Sequence, residues 1–204
     1  MTRQSRRDGD ATRERLLTAA LALYTTTGFL GTTTPALSTQ AGVAEGTIYR
    51  HFSSKEHLLN EAYRRAQRWA LGLLDTVEAD RVRRAPERLT ILARQIIQTA
   101  ATDAPLVRMF FGEGQDSYLD DQSRAVAREV LGRLVGLVAM AKSDGQVRSG
   151  PAELWASVWL TVVGFVAERV AAGDWPADSA TVTMTLEAAW DAIAARASAS
   201  SVVA

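Results

Sequence analysis

The stretch from Thr32 to Leu59, TTTPALSTQAGVAEGTIYRHFSSKEHLL, constrains the fold more than any other part of this chain. Gly42 separates two short helical patterns. The second pattern, from about Glu45 to His51, spans roughly two turns, and a helix that short does not hold together alone in water. It must be packed from behind, which leaves its other face free. Helix, tight turn and second short helix is the arrangement that proteins lay into the major groove of DNA.

A wheel of about 100° per residue separates the two faces. With Ile48 at zero, Phe52 falls at about 40°, so both point to the core. Gly46, at about 160°, and Arg50, at about 200°, point away, with Thr47 and Tyr49 flanking. A guanidinium can bond both major-groove acceptors of a guanine. Flanking hydroxyls suit phosphates, which fix position rather than sequence. Gly46 costs the helix about 1 kcal/mol relative to alanine, a cost that close approach to DNA would explain. His51 and Lys55 lie where this helix ends and the next begins, and helix-start N–H groups also attract anions. Plain solvated surface is the competing account of Arg50, His51 and Lys55.

The flanks supply the support. Residues 1–9 are polar, basic and aperiodic, and are expected to form a disordered arm. Asp10 is placed to cap a helix from Ala11 to about Thr27. Leu16, Leu17, Ala20, Leu21 and Tyr24 recur in it at helical spacing, and Gly28 closes it. Pro35 suits the first position of the next helix, capped by Thr33 or Thr34. Ser53 and Glu56 have capping-box spacing and predict a long helix from about Ser54 to near Glu78. Some 25 residues span about 37 Å, enough to join a small head to a separate body. The body reads as all helix: 86–101, 105–111, 117–142, 151–172 and 178–197, then a frayed tail at 198–204. The fold class is therefore all-α, with a helix-turn-helix head over 10–55 and a helical bundle over 56–197.

Charge and composition agree. The chain has no net charge, yet residues 1–84 carry +4 and residues 85–204 carry −4, so the head is the part suited to phosphates. No cysteine is present, which excludes disulfides and thiolate metal sites and fits a cytoplasmic address. No run of about 18 apolar residues marks a membrane span, so no membrane partner is expected. The only histidines are His51 and His57, both within or beside the head. There is no P-loop, no nucleotide-binding glycine fingerprint and no zinc-binding histidine pair. Neither catalysis nor a cofactor or metal is expected.

Taken together, these residues are recognisable. Gly28-Phe29, Thr33, Ala41-Gly42-Val43, Gly46-Thr47-Ile48-Tyr49, His51-Phe52, Ser54-Lys55-Glu56 and Leu58-Leu59 closely resemble the DNA-binding head of the TetR family of transcriptional repressors. The resemblance covers about a sixth of the chain. It implies a homodimer of nine or ten helices per subunit, two recognition helices in successive major grooves of a near-palindromic operator, and a small-molecule effector in the body that releases the DNA. By position, Thr33, Thr47, Tyr49, His51 and Lys55 are the implied phosphate contacts. Gln40, Glu45, Gly46 and Arg50 are the implied base-facing positions. The sequence departs from the family at Ala44, where a Ser or Thr usually caps the recognition helix. It departs again at Thr34, Pro35-Ala36 and Ser38, where the family usually has other residue types.

Two features of the body bear on partner and effector. The pattern at 151–172 is apolar almost all round, and such a helix is buried on every side. Val158, Val162 and Phe165, with Val182, Leu186, Ala189 and Ile193 on the last helix, are candidates for an isologous four-helix interface. Trp69, Met109, Phe110, Phe111, Tyr118, Trp155 and Trp159 are candidates for the lining of an effector pocket, with Gly112 and Gly114 marking a mobile segment beside it. The acidity of the body leans toward a neutral or cationic lipophile. The alternative function is an activator, or a DNA- or partner-binding protein with no small-molecule effector.

Overall fold

The computed structural model describes residues 3–80, 82–112 and 118–195. Among them are nine α-helices: α1 Arg3–Gly31, α2 Thr34–Ala41, α3 Glu45–His51, α4 Lys55–Ala79, α5 Ala85–Thr102, α6 Ala104–Phe111, α7 Asp121–Ser143, α8 Ala152–Ala171 and α9 Ala180–Asp191. The described residues hold no strand, only an isolated antiparallel bridge between Val147 and Ala194. The chain forms two compact units: Met1–Leu71 with Asp103–Val130, and Gly72–Thr102 with Leu131–Ala204. The second helix of the helix–turn–helix ends at His51, and residue 55, the expected boundary, is where α4 begins. The compact unit that contains the head also takes in most of α4, all of α6 and the start of α7.

Several helix ends differ from the sequence expectations. Residues 3–9, expected to be disordered, are helical, and α1 begins before the Asp10 cap. Once residues beyond Asp10 have nucleated a helix, each added residue gains a hydrogen bond at little cost. At the other end, Thr25, Thr26 and Thr27 turn their hydroxyls back to the carbonyls of Leu21, Ala22 and Leu23 and hold the turn together. Gly28 then breaks the helical path at φ 69° and ψ −177°, a conformation open to glycine. The long helix expected from 117 starts at Asp121, and position 117 lies outside the described residues. The last helix is capped by Ser179 rather than Asp178 and stops at Asp191, not 197. Beyond it, Ala195 N–H donates to Gln146 O, and Arg148 N–H to Ile193 O. The tail expected to fray at 198–204, and Gly114 of the expected mobile segment, lie outside the described residues.

In the first unit, Leu16, Leu17, Ala20, Leu21 and Tyr24 of α1 meet Leu37 and Ala41 of α2, Ile48 and Phe52, and Leu58, Leu59, Ala62 and Tyr63 of α4 in one core. Met109 of α6, Tyr118 and Leu119 complete it. In the second unit α5, α8 and α9 pack on one another. Its core takes Leu89, Ile96 and Ile97 from α5, Trp159, Val163 and Val166 from α8, and Val182, Leu186, Ala189 and Ile193. Helix α8 is long and apolar enough to cross a membrane by length and composition, although the sequence has no unbroken apolar run of that length. Its packing against α5 and α9 buries Ala156, Trp159, Val163, Val166, Ala167 and Val170, but Leu154 and Phe165 stay exposed, so the helix is not buried on every side as its composition suggested.

Buried polar groups in the first unit are stitched together. Arg64, 2% exposed, donates to Asp120, to Ser123 Oγ at 2.9 Å and to Glu61 at 2.7 Å. Asn60 donates to Tyr118 O and accepts from Asp120 N–H and Ser123 Oγ. Burial alone would raise the Asp120 carboxyl, but hydrogen bonds from Arg64 and Ser123 outweigh it and hold it at about 2, below the ordinary 3.8. Glu61 is lowered in the same way, its burial outweighed by Arg64 and Arg13. A carboxyl depressed on folding contributes stability that is complete above its unfolded pKa and is lost as pH falls through the folded one. The wild-type chain should therefore lose stability between about pH 4 and pH 2. Asp120→Asn should be less stable at pH 7 and show a flatter acid limb. Urea midpoints measured across that range test this, and an unchanged acid limb would contradict it.

Candidate nucleic-acid interface

The candidate site is built on α2 and α3. Thr33 caps α2 with its hydroxyl, which accepts from Ala36 N–H, and Pro35 takes an early helical position. Gly42 turns the chain at φ 62° and ψ 43°, with its N–H given to the end of α2. This left-handed turn is open to glycine and strained for most other residues. Val43 N–H donates to Ser38 O and closes the turn. Ser38 is buried, and its hydroxyl is satisfied locally by Pro35 O at 2.9 Å. The substitution that departs from the family pattern is therefore accommodated within the helix.

Helix α3 is anchored by one i,i+4 pair. Ile48 and Phe52 are each 1% exposed, and Phe52 N–H closes the helix onto Ile48 O. The opposite face is open. Gly46 has no heavy atom within 4 Å of where a Cβ would lie. Glu45 and Arg50 are exposed, Tyr49 is 58% exposed, and Thr47 and His51 are half-buried. Gln40, on the last turn of α2, is exposed, as is Thr33, while Lys55 is half-buried at the start of α4. Thus Gly46, Arg50 and Tyr49 share one open surface, with Thr47 at its edge.

The geometry adds a residue that the sequence did not nominate. Thr34 Oγ1 lies 3.5 Å from Tyr49 Oη, so hydroxyls from two helices stand side by side. Either hydroxyl can donate to the other, which leaves the second O–H of the pair to point outward. Nothing local pointed to Thr34, because its partner is fixed only once α2 and α3 are packed.

Two caps differ from simple expectation. Ala44 stands at the N-cap of α3 in extended conformation and makes no side-chain cap bond, so the departure noted in the sequence is a real gap. The capping box expected at Ser53 and Glu56 is shifted by one. Ser54 Oγ accepts from His57 N–H, and His57 Nδ1 accepts from Ser53 N–H, so His57 plays the part assigned to Glu56. Ser53 Oγ also lies 3.0 Å from the same His57 Nδ1.

The body candidates fall in both compact units. Trp69, Met109, Phe110, Phe111 and Tyr118 belong to the first unit, and Trp155 and Trp159 to the second. Trp69 meets Phe110 edge-on at 5.7 Å, and Phe110 meets Phe111 at 4.8 Å. Met109 and Trp159 are packed core residues. Trp155 is held by Ser149 O and by Arg148 over its ring. Of the interface candidates, Val182, Leu186, Ala189 and Ile193 are buried within the subunit and are not available to a partner. Their stripe faces α5 and α8. Val158 and Val162 are half-buried and Phe165 is exposed. The large apolar residues left open on α8 and α9 are Leu154, Phe165 and Met184. No group of three His, Cys, Asp or Glu side chains converges on a possible metal position among the described residues.

Because α3 lacks a cap bond, Ala44→Ser should stabilise the chain by about 1 kcal/mol. Thermal or urea unfolding reads this directly, and no gain would mean that the helix start is already satisfied by solvent.

The family model for bacterial regulatory proteins of the tetR family matches residues 16–62, which run from the core of α1 through α3 into α4. The HTH-type transcriptional repressor KstR of Rhodococcus jostii (strain RHA1) is 30% identical over 168 residues, covering 79% of this chain and 76% of that protein. A TetR family transcription regulator from Marinobacter aquaeolei VT8 has the same fold at TM-score 0.79 and 20% identity, covering 94% of this chain and all of that one. AibR, solved with isovaleryl coenzyme A and operator DNA, matches at TM-score 0.72 and 16% identity, over 89% of this chain and 97% of its own. With the supported, outward-facing helix α3 and this likeness over most of its length, the chain belongs to the TetR family of bacterial transcriptional regulators.

Proposed function

We propose that this chain is a cytoplasmic repressor that binds a near-palindromic operator as a homodimer and is released by a small lipophilic effector. The observation that carries the DNA half is the open face of α3. It presents a bare backbone at Gly46, a free-standing guanidinium at Arg50 and a hydroxyl pair at Thr34 and Tyr49. Arg50 reads base edges, with Glu45, Gly46 and Gln40 beside it. Thr33, Thr47, Tyr49, His51 and Lys55 hold phosphates and set register. In this reading residues 10–55 are the DNA-binding domain and 56–197 the dimerisation and effector domain.

The homodimer is supported by what the monomer leaves uncovered. Phe165 stacks edge-on with Trp175 at 5.6 Å yet remains half exposed, and Leu154 and Met184 are open beside the same helix pair. Apolar side chains in such an arrangement gain by meeting their own copies across a two-fold axis. A dimer also supplies two recognition helices at the roughly 34 Å spacing of successive major grooves. For the effector, the acyl coenzyme A held by AibR supports a ligand with an acyl chain. The partly buried Trp69–Phe110–Phe111 cluster offers apolar surface of the kind such a chain needs.

Binding sites selected from random duplex DNA, followed by mobility-shift titration, test the first half. Arg50→Ala should relax base preference, while Tyr49→Phe should weaken binding to every sequence alike. Uniform loss for Arg50→Ala would remove its base-reading role. Affinity should fall steeply with salt. A panel of fatty-acyl coenzyme A thioesters and free lipophiles, added to the bound complex, tests release. Phe165→Arg should shift the protein to monomer in sedimentation and weaken operator binding with it. A dimer that persists unchanged would place the interface elsewhere.

A further inference from the structure

Arg13 lies before the stretch that the family model matches, yet it touches the end of the recognition helix. Its guanidinium sits 5.1 Å from the centre of the Phe52 ring, the residue that closes α3. The same guanidinium pairs with Glu61 Oε2 at 2.9 Å. Glu61 gives its other oxygen to Arg64 at 2.7 Å, and Arg64 pairs with Asp120 at 2.8 Å. Asp120 in turn accepts from the backbone N–H of Ser123, whose side chain is fully buried, at 2.7 Å. An unbroken run of charge-assisted contacts thus joins the recognition helix to the segment that enters α7. Arg13, Arg64, Asp120 and Ser123 all lie outside residues 16–62.

A run like this is an expensive way to gain stability alone, because apolar side chains of similar volume usually do as well as a buried ion pair. What paired charges add is a defined arrangement, since each is costly to leave unpaired. Arg13 is the informative member. Its side chain is 37% exposed, so it has two possible employments: reaching out to phosphate, or holding Phe52 from behind. Its guanidinium is engaged inside the unit, lying over the Phe52 ring and giving Nη2 to Glu61.

We propose that Phe52, Arg13, Glu61, Arg64 and Asp120 form a positioning relay for the recognition helix, in which Arg13 acts on operator binding through Phe52 and not by touching DNA. The relay rests on α3 being the DNA-reading element. It makes the Tyr118–Ser123 segment a control point for DNA affinity although no residue of it faces the operator.

The test uses the full chain and the operator selected from random duplex. Arg13→Gln, Glu61→Gln and Asp120→Asn should each weaken operator binding by about tenfold, the scale on which changes along a packed network affect a distant site. The slope of log affinity against log salt should stay at the wild-type value in all three, because no phosphate contact is lost. Arg13→Gln combined with Asp120→Asn should cost less than the product of the two single losses, as expected of members of one network. Asp120→Glu should restore part of the affinity. A salt slope lowered by about one in Arg13→Gln would show a direct phosphate contact and overturn the relay. So would an Asp120→Asn affinity within twofold of wild type, or a loss confined to the active fraction in stoichiometric titration with Kd unchanged. A wild-type chain that selects no duplex at all would sink the DNA-reading role of α3, and the relay with it.

Discussion

The burial of two side chains, Ile48 and Phe52, decides what the rest of the head can do. Helix α3 has seven residues, too few to pay its own nucleation cost. Burying a large apolar side chain contributes about 1.5–3 kcal/mol, so this pair supplies most of what holds the helix in place. The pair also fixes its rotation. With positions 48 and 52 turned inward, positions 46 and 50 have no choice but to face out, and 49 must stand at the flank. The chemistry of the open face follows from which residues occupy those positions.

Such a short anchor leaves little margin, and the surrounding structure reflects it. Gly42 and Val43 tie the start of the turn to α2, while Phe52 N–H ties the end of α3 back on itself. The one loose joint is Ala44, which offers the first turn of α3 no side-chain acceptor. Support from behind therefore matters more here than it would in a head with a Ser or Thr at that position. Leu37 of α2 and Leu58 and Leu59 of α4, all fully buried, supply the apolar part of that support. Arg13 over Phe52 supplies a polar part.

The head was legible in the sequence because its signals are local. A Gly at a left-handed turn, a Pro after a Thr cap and an i,i+4 apolar pair act within a few residues of each other. Their outcome does not depend on distant packing. The failures are equally physical. Residues 3–9 carry no apolar periodicity, but helix propagation from an established nucleus needs none. The Val182, Leu186, Ala189, Ile193 stripe was visible as a stripe. Which surface it covers is a tertiary choice, and α5 and α8 of the same subunit take it. Thr34 read only as a possible cap and a departure from the family pattern, because the hydroxyl it pairs with is 15 residues away. Aromatic residues in the body gave a list of side chains but not their grouping. Composition says nothing of which compact unit each one joins.

That grouping bears on how a regulator of this family could be switched. Helix α6, Tyr118 and the first turns of α7 pack in the same unit as α1 to α3. Tyr118 meets Tyr24 of α1 edge-on at 5.7 Å, and burial pushes its hydroxyl well above the ordinary range, so it stays neutral. A displacement of the 103–130 segment would therefore be felt inside the packing of the head, with no need for a separate lever. Interiors this closely packed hold discrete arrangements and do not deform smoothly. To empty an operator almost completely, an effector must prefer the released arrangement over the bound one by about 10⁴-fold, or about 5.5 kcal/mol. A ligand cannot gain that from contacts that are the same in both arrangements. Its binding surface must include residues that move between the two; in this chain α6 is an apolar helix, and the residues leading into α7 are tied to α4 by Asn60 on Tyr118 O and Arg64 on Asp120.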